Sequence, residues 1–454
     1  MPWQSRFRTL TLALAGGCVL VAPAESRAQH ANYWTVQYGP RASLLGGAVI
    51  GSTSDVSGAY YNPGALALAA NLAFAFSTSL YELEKVGLND GAGHGVDLKT
   101  TRAGVRPSLI AGTITSKLFG SDVLAYSILT RNHATSDVVA QIIASGADVP
   151  SGLDLEHLAG VARIDGEVSD LWGGLSYAHA FGSSFGAGLT WYGAQRSQRR
   201  RRQGIATAIA PDGSASVNID MGGGAYSAFR TLVKFGGHFA SRSITAGVTV
   251  TTPSLHITGS GEFGVNDVLV TSDTTALVAN VQTGLAAKYK SPLSVGLGLG
   301  WQLGNTRINA SGEWFDAIDP YVVMKGDDFV SQVPAEVRTF DVVQATDDVF
   351  NWAVGVGYSF TESIMWYGSF ATDYAAVTDD IERADLSMVP VDLYSVSLGS
   401  EVTLEGARVM LGVGYGWGSR SAPSITDLVD NEEFEAQYVY KRFRVLFGFE
   451  LIAN

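Results

Sequence analysis

Val-Met-Leu-Gly-Val-Gly-Tyr-Gly-Trp, residues 409–417, alternates without a break between large apolar and small side chains. Val409, Leu411, Val413, Tyr415 and Trp417 form one side; Met410, Gly412, Gly414 and Gly416 form the other. Successive side chains of a strand point to opposite faces, so this is a β-strand with one greasy face and one nearly bare. Residues 295–303 repeat the scheme, with Val295, Leu297, Leu299, Trp301 and Leu303 against Gly296, Gly298, Gly300 and Gln302. Residues 352–360 do so again, with Ala353, Gly355, Gly357 and Ser359 on the small side. A soluble sandwich would turn the greasy face into a core. Here that face carries tryptophan repeatedly (Trp172, Trp191, Trp301, Trp314, Trp352, Trp366, Trp417), as aromatic girdles at two membrane interfaces require. The glycine side is too small to fill a core and suits a lumen.

Connection lengths give the same answer. About fourteen such segments are expected between residues 70 and 452, an even number as single-chain bacterial barrels have. Short links at 116–121, 182–184, 240–242, 304, 361–362 and 405 alternate with long ones near 84–104, 132–166, 196–225, 261–279, 318–346, 374–390 and 419–436. Tight turns at one rim and long loops at the other characterise outer-membrane barrels. In hydrocarbon every backbone donor and acceptor must be paired, so the sheet must close and the last segment, 438–451, must pair with the first. The expected fold is all-β: a transmembrane antiparallel up-and-down barrel.

The N-terminus supports export. Arg6 and Arg8 precede an apolar run, Leu10 to Ala22, and Ser26-Arg27-Ala28 offers a cleavage site before Gln29, the layout of a secretory signal. Cys18, the chain's single cysteine, sits in a poor lipoprotein box, Ala15-Gly16-Gly17-Cys18; if the leader is removed, neither disulfides nor thiol chemistry support the remainder. Past it there is no run of 18 apolar residues, which disfavours membrane helices. Losing Arg6, Arg8, Arg27 and Glu25 with the leader takes the net charge from −13 to −15, an acidic balance that argues against nucleic acid as a partner. Glycine, 53 of 454 residues, is well above the usual ~7%.

Between leader and barrel lies Arg41-Ala-Ser-Leu-Leu-Gly-Gly-Ala-Val-Ile-Gly-Ser-Thr-Ser-Asp-Val-Ser-Gly-Ala-Tyr-Tyr-Asn-Pro-Gly-Ala65, a small-residue module that reads as a plug for a hollow barrel. Its Gly46-Gly47-Ala48, Ser54-Asp55-Val56-Ser57 and Tyr61-Asn62-Pro63 elements, with Leu66-Ala67, resemble the FadL-type transporters of long-chain fatty acids and aromatic hydrocarbons. Thr252-Pro253-Ser254, Gly259, Phe263, Ser291-Pro292-Leu293-Ser294 and Glu313-Trp314 extend the resemblance over nearly the whole chain. One departure is Asn62-Pro63-Gly64-Ala65-Leu66, where the family favours Asn-Pro-Ala-Gly-Leu. The resemblance implies a signal peptide (1–28), an N-terminal hatch (29–68) built on Gly46, Gly47, Asp55, Asn62, Pro63 and Gly64, and a fourteen-strand barrel (69–454). It further implies passive uptake of hydrophobic small molecules, captured at the extracellular loops and released by a hatch shift or through the wall.

Other features divide between a specific and a plain reading. Residues 136–144 are expected to form a short amphipathic helix in an extracellular loop; with Leu153, Leu155, Leu158 and Val161 nearby, Val138, Ile142, Leu155 and Leu158 form a landing surface for greasy ligands or merely pack over the mouth. Arg196 and Arg199 to Arg202, in another expected loop, would meet lipopolysaccharide phosphates or a carboxylate, or are simply solvated. Arg307, Glu313, Glu401, Arg442, Arg444 and Glu450 are expected to project inward, as a network holding the hatch or as generic lumen polarity. The seven histidines show no His-x-His or His-x-x-x-His pair, so no metal is expected; neither a cofactor nor an enzyme is expected. A diffusion porin or a structural surface protein is the alternative function; a monomer in contact with outer-membrane lipid is the expected state.

Overall fold

The structure, a computed structural model, describes residues 32–69, 72–89, 98–114, 122–146, 149, 155–376, 391–423 and 435–452. The expected leader with Cys18, and the expected turn at 116–121, lie outside them. The strands begin with β1 (Leu72–Asn89), β2 (Leu98–Ile114), β3 (Val123–Ser145), β4 (His157–Phe181), β5 (Phe185–Ile209), β6 (Ala215–Ala240) and β7 (Ile244–Thr251). Next come β8 (Leu255–Val270), β9 (Thr275–Ala286), β10 (Ser294–Leu303), β11 (Thr306–Phe315), β12 (Ile318–Lys325), β13 (Phe329–Val330), β14 (Val337–Arg338) and β15 (Asp341–Thr346). The chain ends with β16 (Val349–Ser359), β17 (Ile364–Asp373), β18 (Leu393–Leu404), β19 (Ala407–Pro423) and β20 (Glu435–Ile452).

Sixteen of these form one antiparallel sheet that closes on itself. Going round, β1 to β7 pair in succession, then come β10, β11 and β16 to β20, and β20 returns to β1 along Leu72–Asn89. β8 and β9 stand outside this circuit: β8 follows β7 along the far half of β6, and β9 lies on β8. The chain therefore forms an all-β closed antiparallel barrel.

The two faces fall where alternation puts them. Leu297, Leu299, Trp301, Val354, Val356, Leu411 and Val413 are exposed on the outside, whereas Met410, Ala353 and the intervening glycines are buried. Trp172 departs from the expected girdle: it shares its parity with Asp170 and Ser176, points inward and is buried, while Leu171 and Leu175 take the outer face.

Much of the expected loop is strand. β3 to β6 run for 23, 25, 25 and 26 residues, against 10 for β10; at ~3.3 Å per residue the longest reach roughly 80 Å. The expected loops at 84–104, 132–166 and 196–225 are therefore largely wall, 261–279 is the β8–β9 hairpin, and 318–346 folds into β12 to β15. Residues 136–144 are not a helix but part of β3, each paired with β4. Val138, Val139, Ile142 and Ile143 are β-branched, and a continuous partner supplies the hydrogen bonds that a short uncapped helix would lack. The strands expected at 243–260 and 280–303 are each broken, after Thr251 and before Ser294.

The lumen holds the N-terminal segment. It contains helix α1 (Pro40–Leu44), helix α2 (Gly58–Tyr61) and a 3₁₀ turn at Pro63–Ala67, and residues 38–66 are buried apart from Ser54. The bare faces of the strands make room for it. A Cβ on Gly298 would lie 2.2 Å from the Gly51 nitrogen, and one on Gly186 2.2 Å from the Gly64 oxygen. Gly412 likewise receives Leu44, and Gly448 receives Pro40. The core of the molecule is this segment against the inner wall: Leu44, Leu45, Ile50, Tyr60 and Tyr61 with Leu109, Tyr192, Ala353, Tyr367 and Met410.

Candidate functional site

Backbone geometry seats the N-terminal segment. Gly46 and Gly47 follow α1 with φ of 61° and 86°, the left-handed ending that glycine adopts without strain. Asn62 fixes the far end: its Nδ2 donates to the Ile50 oxygen and the Gly237 oxygen at 3.0 Å each, and its Oδ1 accepts from the Gly64 nitrogen. Pro63 and Gly64 lie against the backbone of Gly236, Gly188 and Gly186. Asp55 accepts from the Ser57 nitrogen at 2.8 Å.

Above the segment lies a cavity of about 50 Å³, lined by Asn32, Tyr33 and Tyr60 below and by Arg131, Asp170, Trp172, Arg196, Leu232, Lys234, Tyr289, Ser291, Pro292, Glu313 and Phe315 around it. Its charges are buried and engaged. Arg230 donates to Asp170 at 2.6 Å, and Lys234 lies 3.5 Å from Glu313. Glu313 also accepts from Trp34 Nε1 (3.0 Å) of the N-terminal segment and from the Ser294 hydroxyl (2.8 Å). Arg131 donates to the Tyr33 oxygen. Every cation also rests on a ring: Lys234 and Arg131 on Tyr60, Arg131 and Arg230 on Trp172, Arg230 and Arg196 on Tyr289. Over the cavity, Tyr226, Phe263, Tyr321, Met324 and Val342 form a second apolar cluster under the β12–β15 hairpin.

The expected polar set does not come together in one place. Glu313 belongs to the cavity. Arg442 and Arg444 lie lower, near Glu82, where they donate to the Thr35 oxygen and to Gln37 Oε1. Glu401 and Glu450 flank Arg408 at 3.7 and 3.0 Å, and Arg307 donates to Thr245. The arginine run lies on β5 and splits by parity: Arg196 and Arg200 are buried, Arg199 and Arg201 exposed, and Arg202 pairs with Asp220 at 2.7 Å. Leu155 and Leu158 are buried in a small cluster with Ala144 and Ala208, Val138 is half-buried, and Ile142 lies within β3.

Arg131, Asp170, Arg230, Lys234 and Tyr289 are absent from the sequence-based candidates. A signal for two of them was present: Arg230 and Lys234 share one parity of a long strand, and an ionisable residue on the inner face of a spanning strand marks a functional site by default. Tyr289 had none, because the wall strand there leaves the regular sheet.

No family model and no curated protein matches the chain. Solved structures do. The chain is similar to the Pseudomonas putida toluene transporter TodX (TM-score 0.58, 13% identity, 92% of this chain and 99% of that one). It is similar to a Pseudomonas aeruginosa FadL homologue (TM-score 0.57, 11% identity, 92% and 99%). The Ralstonia pickettii toluene transporter TbuX gives a TM-score of 0.56 at 11% identity, with 92% and 99% covered. The architecture is thus that of a closed antiparallel β-barrel with its own N-terminal segment inside the lumen. Specifically, this protein has the FadL-type transporter fold.

Proposed function

We propose that the protein is an outer-membrane passive transporter of hydrophobic small molecules, fatty acids or hydrocarbons, and that residues 29–68 are its hatch. The observation that carries this is the lumen itself: a barrel whose inner glycines are spent on seating an N-terminal segment, leaving a cavity of only about 50 Å³. A water-filled pore is a poor path for a hydrocarbon, since each methylene removed from apolar surroundings costs about 0.8 kcal/mol, on the order of 10 kcal/mol for a sixteen-carbon tail. A closed barrel with an apolar mouth cluster avoids that cost.

In this reading the fourteen strands of the circuit span the membrane after the leader, 1–28, is removed. The hairpin β8–β9 and the far halves of β3 to β6 stand outside, against lipopolysaccharide, and the protein works as a monomer. Substrate enters past the β12–β15 hairpin. Glu313, Arg131, Arg442 and Arg444 hold the hatch through Trp34, Tyr33, Thr35 and Gln37. Release is through the wall between β2 and β3, whose pairing stops at Leu109 and Leu129 while both strands continue. Deleting residues 29–68 behind an intact leader tests the reading in planar bilayers. A transporter turns from closed to conducting; equal conductance with and without the segment identifies a diffusion porin instead.

A further inference from the structure

The wall is interrupted in a second place, five strands round from the gap beside β3. Pairing between β7 and β10 ends at Thr251 and Ser294, and pairing between β8 and β9 begins only at Ser260 and Ala286. Between those rows, among the described residues, three hydrogen bonds join the two sides. The Ser254 nitrogen donates to the Ser291 oxygen (3.2 Å), the Ser291 nitrogen to the Ser254 hydroxyl (2.8 Å), and the Ala287 nitrogen to the Gly259 oxygen (3.3 Å). Pro253 and Pro292 have no N–H to contribute. Residues 287–290 have turned inward to the mouth hairpin instead: the Lys288 nitrogen donates to the Val323 oxygen, the Lys290 nitrogen to the Tyr321 hydroxyl, and Ala287 bridges to Met324.

Inside this seam is the cavity, since Tyr289, Ser291 and Pro292 line it. Outside it Leu255 and Ile257 are 69% and 57% exposed. Its height follows from strand length. β7 and β10 run 8 and 10 residues from their shared end of the barrel, close to the 9–11 that cross the hydrocarbon layer, and their outer faces show Val248, Val250, Leu297 and Leu299. The seam therefore opens at the outer edge of the apolar band. Irregular backbone at membrane depth is tolerated only where it is buried in protein or lines a cavity. Here it lines one.

Building on the transporter reading, we infer that this seam is a lateral inlet through which an uncharged, ring-sized lipophile dissolved in the outer leaflet enters the cavity without passing the aqueous mouth, and that the Ser254–Ser291 contact is its clasp. Arg230 braces the clasp from within, its Nε donating to the Ser291 hydroxyl at 2.9 Å. A molecule taking this path never exposes its apolar surface to water.

The chain's one cysteine is Cys18, in the expected leader, so an engineered pair is unambiguous. The Ser254 nitrogen lies 3.2 Å from the Ser291 oxygen and the Ser254 hydroxyl 2.8 Å from the Ser291 nitrogen, an approach close enough for an engineered disulfide to bridge. Ser254→Cys with Ser291→Cys is to be compared with Val250→Cys with Val295→Cys, a paired outward site on β7 and β10 below the seam. The readout is uptake of naphthalene from donor membranes into vesicles with cyclodextrin trapped inside. Oxidising the clasp pair is expected to cut uptake at least fivefold, with recovery on reduction, while the lower pair has no effect. Unchanged uptake with the clasp oxidised overturns the inlet. A second arm does not depend on transport: the Ser291→Cys chain in liposomes, offered a membrane-dissolved pyrene maleimide or a sulfonated one in water. Faster labelling from the lipid side supports the inlet even if the wild-type chain proves to move nothing; labelling from water alone sinks it.

Discussion

Lys234 and Glu313 show what a single buried pair does in this lumen. Both side chains are almost fully shielded, and Glu313 ties wall to hatch through Ser294 and Trp34. Removing one charge of a buried pair leaves the other uncompensated, typically at about 3–5 kcal/mol, whereas replacing both by apolar groups is often neutral. Lys234→Met is therefore expected to lower the urea unfolding free energy by about that much, and adding Glu313→Leu to recover most of it. Similar losses for single and double variants would show that Glu313 acts chiefly through Trp34 and Ser294. At this scale parity was readable in the sequence: Glu313, Arg442 and Arg444 were placed inward from alternation alone. Trp172 was misread because tryptophan was assigned to the girdle by type rather than by its phase with Asp170 and Ser176. Which cation meets which carboxylate was not readable, since Asp170 and Arg230 are sixty residues apart and meet only through the register of β4 and β6 on the β5 between them.

Among elements, the β8–β9 hairpin has a pH dependence of its own. Asp267 faces Asp220 across the β6–β8 register. Burial first, and the Asp220 carboxylate second, push its carboxyl up to about 7 from the ordinary 3.8, with Arg202 opposing. The folded hairpin therefore holds a proton that the unfolded one has released. Its stability should be unaffected below about pH 4, fall as pH rises from there through 7, and level off above. Hydrogen exchange of β8 amides at pH 5 and pH 8 should show faster opening at pH 8, and Asp267→Asn should remove the difference. An unchanged difference in that variant would place the titration elsewhere. The helix expected at 136–144 belongs to the same scale. A window such as Ser-Asp-Val-Val-Ala-Gln-Ile-Ile-Ala fits both helical and extended periodicity over so short a span, and the choice fell to β4, which lies alongside with every row matched.

For the whole molecule, the apolar belt should follow strand length rather than exposure. Leu299 sits midway along β10, and Val139 lies on the far half of β3; both are exposed. If the barrel spans a bilayer, Leu299→Arg should cost about 2–4 kcal/mol, the figure for a cation near the midplane. Val139→Arg, on the projecting wall, should stay within about 0.5 kcal/mol, as for ordinary surface positions. Urea unfolding in liposomes measures both, and equal costs would contradict the assigned belt. Period-two alternation and the glycine face were enough to read from sequence a closed antiparallel barrel with its greasy side outward, because alternation is local and closure is forced by hydrogen bonding in hydrocarbon. The module beginning at Arg41 was recognisable as something apart by its small residues and its place between leader and first strand. Only the tertiary structure decided how far β3 to β6 rise beyond the rest, where the wall is broken, and which charges share the cavity. Those depend on strands distant in sequence coming to lie in register, and on a chain segment filling the space that the inner glycines leave.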